Sequence, residues 1–274
     1  MPFLCHPRSS IQTYLHSEGS LAKKSHARRW FQKILGKSRQ CTSFAQRRAT
    51  TVDWRSKGRM TNNMLPDGVL LEIFHWCLNE DPSYPNPEEL EEWQTLVHVC
   101  RKWQNVVFAS PHRLNLRLVC ADVRPVRKML DIWPPLPIVI WGENTKTGED
   151  NIVAAITHSV RVCGITLNWV PSSLWERVLA AMQEPFPALT HLDIHTADEE
   201  SIVSSSFLGR SAPNLQYLDL SRVPFPGLPK LLSSATHLVN LYLCNIPHSG
   251  YFSPETMATA LSTSTRLETL WLQF

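Results

Sequence analysis

One frame of apolar residues recurs along the second half of the chain and limits the fold more than any other feature. The frame is apolar-x-x-apolar-x-apolar. It reads Val162/Ile165/Leu167, Leu189/Leu192/Ile194, Leu215/Leu218/Leu220, Leu238/Leu241/Leu243 and Leu267/Leu270/Leu272. Successive copies end 27, 26, 23 and 29 residues apart. An earlier copy, Ile138/Ile140 with Pro135 in the leading position, stands 27 residues before the first, and Leu114, Leu116 and Leu118 begin the series 22 residues before that. A single copy arises by chance in any apolar chain. Five in phase, at a period of roughly 20–29 residues, mark a stack of similar units. The alternation at the end of each copy is that of a half-buried strand.

The spacers have room for one short helix each. Ser173-Leu174-Trp175-Glu176 has capping-box spacing for a helix through Met182. Ser253-Pro254-Glu255 offers an N-cap, a proline at the first helical position and an early acid before Met257, Ala260 and Leu261. Thr147 to Glu149 precede Ile152, Val153 and Ile156 in the same way. Strand, loop, helix and return give an irregular α/β solenoid of leucine-rich-repeat type over residues 110–274, each unit covered only by its neighbours. The competing architecture is an ordinary α/β domain of alternating strands and helices.

If the frame residues point inward, the residues between them line the other, concave face. These are Thr166 and Asn168; His191, Asp193 and His195; Tyr217, Asp219 and Ser221; Asn240, Tyr242 and Cys244; Thr269, Trp271 and Gln273. Aromatic, imidazole and carboxylate groups on one sheet surface suit protein recognition. His191, Asp193, His195, Tyr217, Asp219, Tyr242 and Trp271 are therefore the candidate target-binding residues, and a merely solvated face is the plain alternative. His191 to His195 has the best metal-ligand spacing in the chain, but further ligands on neighbouring strands are needed for a zinc site, so none is expected. The last strand, Leu270, Leu272 and Phe274, has no polar capping unit after it. That reads as a truncated chain, a poorly soluble product or one paired with something else.

Charge divides the first hundred residues. The whole chain of 274 residues carries a formal net charge of +3. Residues 1–60 hold 13 Lys or Arg against Glu18 and Asp53, whereas residues 61–100 hold eight acids and no Lys or Arg. Such switches mark module boundaries near 60 and 100. The basic block has a partial apolar stripe (Leu21, Trp30, Phe31, Ile34, Leu35) surrounded by Lys23, Lys24, Arg28, Arg29 and Lys33. A largely disordered basic tail, a nuclear-import patch, an organelle presequence and a phosphate-binding arm all fit it, and no function is drawn from it.

In the acidic block, Leu70, Ile73, Phe74, Cys77 and Leu78 fall on one helical face after Pro66. A Pro-, Asn- and Asp-rich loop comes next, then a second helix from Pro87 with Glu88 and Glu89 in its first turn. Trp93, Leu96, Val97, Cys100, Trp103, Val106 and Val107 continue with helical period. Two or three short helices in this length cannot easily bury both faces alone, so one face seeks a partner.

The run Leu65-Pro66, then Leu70-Leu71-Glu72-Ile73-Phe74, then Val99-Cys100-Arg101-Lys102-Trp103 resembles the F-box over about Met64 to Ala109. With Ser110-Pro111-His112-Arg113-Leu114 and Leu130-Asp131-Ile132-Trp133-Pro134, it is similar to the F-box sets of mushroom-forming fungi. The stretch from Asn79 to Glu92 is longer than the usual connection between the first two helices of that family. The resemblance implies a small three-helix F-box module at 61–109 that docks the S-phase-kinase-associated adaptor and, through it, a cullin scaffold. It implies adaptor contacts at Leu65, Pro66, Leu70, Ile73, Phe74, Val97, Cys100 and Trp103.

Chemistry is otherwise sparse. GxSxG, Walker A, GxGxxG and HExxH are absent, and Gly142 to Gly148 lacks the Gly-Lys-Ser/Thr end of a phosphate loop. Seven cysteines without a CxxC pair suit a reducing compartment, cytoplasmic or nuclear. The apolar runs fall far short of a membrane span. The expectation is a non-catalytic substrate-recognition subunit of an SCF-type ubiquitin ligase, binding a protein target and no cofactor, membrane or nucleic acid. The alternative is a leucine-rich-repeat binding module without a ligase role.

Overall fold

In the computed structural model, residues 65–78, 92–121, 125–143, 148–197 and 202–273 are described. The chain divides into two units, Met1–Met64 and Leu65–Phe274. The basic block therefore lies outside the described residues, as do the expected helix start at Pro87 and the final Phe274.

Three helices open the described part: α1 (Asp67–Leu78), α2 (Trp93–Val97) and α3 (Arg101–Ala109). Pro66 and Asp67 start α1 as the sequence predicts, with the acid in the first turn. The helical period running from Trp93 to Val107 is interrupted at Cys100, which is fully extended (φ −163°, ψ 166°) and separates α2 from α3. Phe74 of α1 meets Trp103 of α3 at 4.7 Å between ring centroids. Lys102 fastens the start of α1, donating from Nζ to the Leu65 carbonyl at 2.6 Å and standing 3.4 Å from Asp67 Oδ1. Trp93 ties this helical layer to the segment around Arg117 and Trp133. Its Nε1 donates to the Arg117 carbonyl at 2.9 Å, and its ring lies edge-on to Trp133 at 5.0 Å.

After the helices comes a seven-stranded, wholly parallel sheet whose strand order is the chain order. The strands are β1 (Leu118–Ala121), β2 (Ile138–Glu143), β3 (Val162–Val170), β4 (His191–Thr196), β5 (Tyr217–Ser221), β6 (Asn240–Cys244) and β7 (Thr269–Leu272). Parallel neighbours need a crossover. Helices α4 (Val126–Ile132), α5 (Glu149–Ile156), α6 (Ser172–Ala181), α7 (Leu228–Ser234) and α8 (Pro254–Leu261) serve five of them. Among the described residues the β4–β5 crossover has a 3-10 turn, Phe207–Arg210, and no α-helix.

The apolar frame is the register of the sheet. Ile165, Leu192, Leu218, Leu241 and Leu270 pair in one line, and Leu167, Ile194, Leu220, Leu243 and Leu272 in the next. From β3 to β6 these side chains are buried, each contributing on the order of 1.5–3 kcal/mol. In β7, Leu270 and Leu272 remain 47% and 38% exposed.

The first two copies differ from the spacing-based alignment. Counting residues sets Ile140 against Leu167 and Leu118 against Ile140. The sheet instead pairs Ile140 with Ile165 and Leu118 with Ile138. The β2–β3 register also changes by one residue at Ile138/Val139. A two-residue slip keeps every side chain on its face, so the pattern tolerates it. Leu114 and Leu116 are buried in the turn before β1, outside the strand.

The caps also divide. Ser253 accepts from the Thr256 backbone N–H at 3.2 Å, as expected. The capping box at Ser173 does not form. Helix α6 begins one residue earlier, at Ser172 after Pro171, and the Ser173 hydroxyl is 3.4 Å from Glu149 Oε1 on α5. Arg177 of α6 bridges to Glu149 and Asp150 on the same neighbour. An inter-helix polar contact has taken the place of a local cap. Among the described residues no helix is long and apolar enough to cross a membrane, and the five cysteines there form no disulfide.

Gly209 sits in the β4–β5 crossover at φ +61°, where a Cβ would come 2.9 Å from the Pro185 backbone nitrogen. Gly68, inside α1, has nothing within 4 Å of the same position. Gly209→Ala is therefore expected to cost about 1–3 kcal/mol in urea unfolding. Gly68→Ala is expected to stabilise by about 0.5 kcal/mol. Equal effects at the two positions would contradict this reading of the crossover.

Candidate functional site

The sheet has one face of leucines and one of polar and aromatic side chains. Period-two alternation forces the residue between two frame leucines onto the second face, and strand pairing then aligns these residues across the sheet. One line runs Thr166, Asp193, Asp219, Tyr242, Trp271; another runs Gly164, His191, Tyr217, Asn240, Thr269. His195, Ser221 and Cys244 make a third. Asn168 pairs with Glu143 nearer the β2 side, and Gln273 comes directly after β7 with its amide 3.3 Å from Asn245 Oδ1.

Six of the seven candidate target-binding residues are brought together in the middle of this face. His191 stacks on Tyr217 (4.3 Å, 12° between planes), and Tyr217 leans on Tyr242 at 5.6 Å. Beside the stack, His195 Nε2 lies 3.2 Å from Asp193 Oδ1 and 3.4 Å from Asp219 Oδ1. Tyr217 links the two groups, its hydroxyl donating to Asp219 Oδ2 at 3.4 Å. The seventh residue, Trp271, lies beyond Tyr242 on the last strand and is 54% exposed.

The aromatic rings shield this patch enough to move its titrations. Burial pushes the His191 imidazole down to about 4, against the pull of Asp219, so it is neutral at pH 7. Burial, with Asp219 nearby, pushes the Asp193 carboxyl up to about 7, while His195 opposes the rise. Burial also acts to lower His195, but Asp219 and Asp193 outweigh it and its pKa is raised.

Asp193, His195 and Asp219 are also the group among the described residues whose ligand atoms could hold a metal ion, all within 4.8 Å of one another. The sequence offered His191 to His195 for that role and expected no site. In the structure His191 is held in the aromatic stack, and Asp219 comes in from the next strand. The signal was present: Asp193 and Asp219 occupy the same position in consecutive copies of the frame.

The helical residues expected to meet a partner have mixed positions. Leu70, Phe74, Val97 and Trp103 are buried among the helices and belong to their internal packing. Leu65, Ile73 and Cys100 are half-buried, and Pro66 is exposed. Sequence reading missed a second stripe on α1. Val69, Ile73 and Trp76 lie at i, i+4 and i+7, with Val69 44% and Trp76 68% exposed. The same period that revealed the first stripe contains this one. A groove of about 690 Å³ lies on the other side of α1, toward α3, lined by Asp67, Leu71, Lys102 and Val106 among others.

The chain matches no protein-family model, no curated protein and no solved structure.

The shifted carboxyl and imidazole carry a pH signature. Asp193 and His195 hold protons in the folded chain at pH values where the unfolded chain has released them. Their stabilising contribution is thus present at low pH and lost as pH rises. With a chelator present, Asp193→Asn is expected to gain on the parent chain as pH rises from about 4 to about 7. Urea midpoints of both proteins across that window check this, and a constant gap between them would refute it.

Proposed function

We propose that this chain is the substrate-recognition subunit of an SCF-type cullin–RING ubiquitin ligase. In this reading α1 to α3 are an F-box, and β1 to β7 with their crossovers are an irregular leucine-rich-repeat-like solenoid. The first docks the S-phase-kinase-associated adaptor and the second binds a target protein. The observation that carries the proposal is the apolar stripe on α1 of exposed Val69 and Trp76 with half-buried Ile73, next to Pro66, within the segment whose sequence resembles the F-box. An exposed tryptophan flanked by aliphatic side chains is the kind of surface that anchors a protein interface.

The division of labour comes from the two faces. Leu70, Phe74, Val97 and Trp103 hold the helices in shape, while Pro66, Val69, Ile73 and Trp76 meet the adaptor. The stacked His191, Tyr217 and Tyr242, with Trp271 beyond them, offer rigid aromatic area to a target. Such a subunit is not an enzyme. It accelerates ubiquitin transfer by holding target lysines near an activated thioester, which raises their effective concentration. A reducing cytoplasmic or nuclear setting agrees with cysteines that form no disulfide among the described residues.

The same aromatic face supports a second reading, a binding module with no ligase role. One experiment separates the two. The full chain, co-expressed with the adaptor, is expected to co-purify with it. A Pro66→Ala/Val69→Ala/Trp76→Ala variant is expected to lose at least about 100-fold in affinity while keeping its circular dichroism, since removing two or three anchors costs several kcal/mol. A folded parent chain that does not retain the adaptor leaves the binding-module reading.

A further inference from the structure

The least explained atoms in the molecule are three that face one another on the polar side of the sheet. Asp193 Oδ1, His195 Nε2 and Asp219 Oδ1 are each shielded from solvent, and none has a hydrogen bond. The imidazole nitrogen is 3.2 and 3.4 Å from the two oxygens, yet off the line that an N–H bond to either requires. The Asp193 side chain is only 5% exposed. One imidazole proton cannot serve two carboxylates, so with both ionised a buried oxygen is left short, at a cost that structures ordinarily avoid. Three ligand atoms within 4.8 Å of one another, without a hydrogen bond among them, are spaced for something between them.

We propose that Asp193, His195 and Asp219 form a Zn²⁺ site with an open coordination position. Zinc binds imidazole nitrogen and carboxylate oxygen at about 2.0–2.2 Å, which makes the edge of its tetrahedron about 3.3 Å. The two nitrogen–oxygen separations lie on either side of that value. Two carboxylates and a neutral imidazole also cancel the ion's charge, so the filled site is neutral in a shielded place. Magnesium fits poorly, because it prefers six oxygen ligands and keeps much of its water. The imidazole favours a transition metal, and zinc accepts a mixed imidazole and carboxylate set in a tetrahedron with one open position.

The surroundings support the assignment. Tyr217 occupies the other oxygen of Asp219, holding that carboxylate with Oδ1 toward the cluster. The three ligand atoms are shielded, but the His195 side chain is 34% exposed, which sets the cluster close to the surface; a water or a ligand's carboxylate or imidazole would complete the fourth position. The inference does not rest on the ligase reading, since the site is complete within this chain.

The test uses the full chain stripped of metal by a chelator, with Zn²⁺ titrated against a chromophoric competitor. One equivalent is expected to bind and to raise Tm, while millimolar Mg²⁺ does neither. Asp219→Asn and His195→Gln are each expected to weaken zinc by at least about 10-fold and to abolish the Tm gain, with circular dichroism unchanged. Cysteines elsewhere could also take zinc, so Co²⁺ is bound to the parent chain as a second readout. The expected spectrum has tetrahedral visible bands without the near-ultraviolet thiolate-to-cobalt absorption. No stoichiometric binding, a thiolate signature, or unchanged affinity in folded variants would each overturn the proposal.

Discussion

From β4 to β7 each strand is laid against its predecessor by the same two leucine-type side chains, and most of the remaining architecture depends on that ladder. A parallel sheet in chain order has no long-range partner to correct a wrong register. The buried lines through Leu192, Leu218 and Leu241, and through Ile194, Leu220 and Leu243, supply the correction. They also determine the opposite face. Whatever residue stands between two frame leucines is carried to the polar side and set beside its counterpart. Asp193 thus meets Asp219, and Tyr242 meets Trp271, because leucines on the other side are in register.

That arrangement creates an electrostatic problem on the polar face. Two carboxylates lie on neighbouring strands beside the aromatic stack, with their facing oxygens shielded from water. Tyr217 works on both sides of the problem. Its ring covers His191, whose neutral form burial favours, and its hydroxyl satisfies one oxygen of Asp219. Asp193 has no such donor on its inner oxygen, and burial raises its pKa accordingly. The three perturbed groups of this face, His191, Asp193 and His195, all stand on β4.

Much of this was legible in the sequence, and the failures have physical causes. Frame and period located the strands from β3 to β7 and assigned the polar face, because alternation and repetition are local properties. Ser253 was legible as a cap since its partner is three residues away. Ser173 was not, because Glu149, its partner, belongs to another unit. At β1 and β2 the spacing misaligned the strands by two residues, a slip that changes no side chain's face and so leaves no trace in the pattern. On α1 the periodicity identified apolar positions without saying which would be consumed internally. Phe74 was taken by Trp103, and Trp76 was left outside. The meeting of His195 with two carboxylates needed both the pairing of β4 with β5 and the side-chain directions, and only the pairing is written in the frame.

The strand order also bears on the history and the folding of such a chain. Every strand pairs only with those one step away along the sequence, so no contact within the sheet closes a long loop. Ordering can start at any neighbouring pair and spread in both directions. The same locality makes length a free variable. A strand with its crossover could be gained or lost between two others, and every remaining hydrogen-bonded pair would keep its register. A lineage built this way can change what its polar face offers by adding or deleting a unit, without solving the core again.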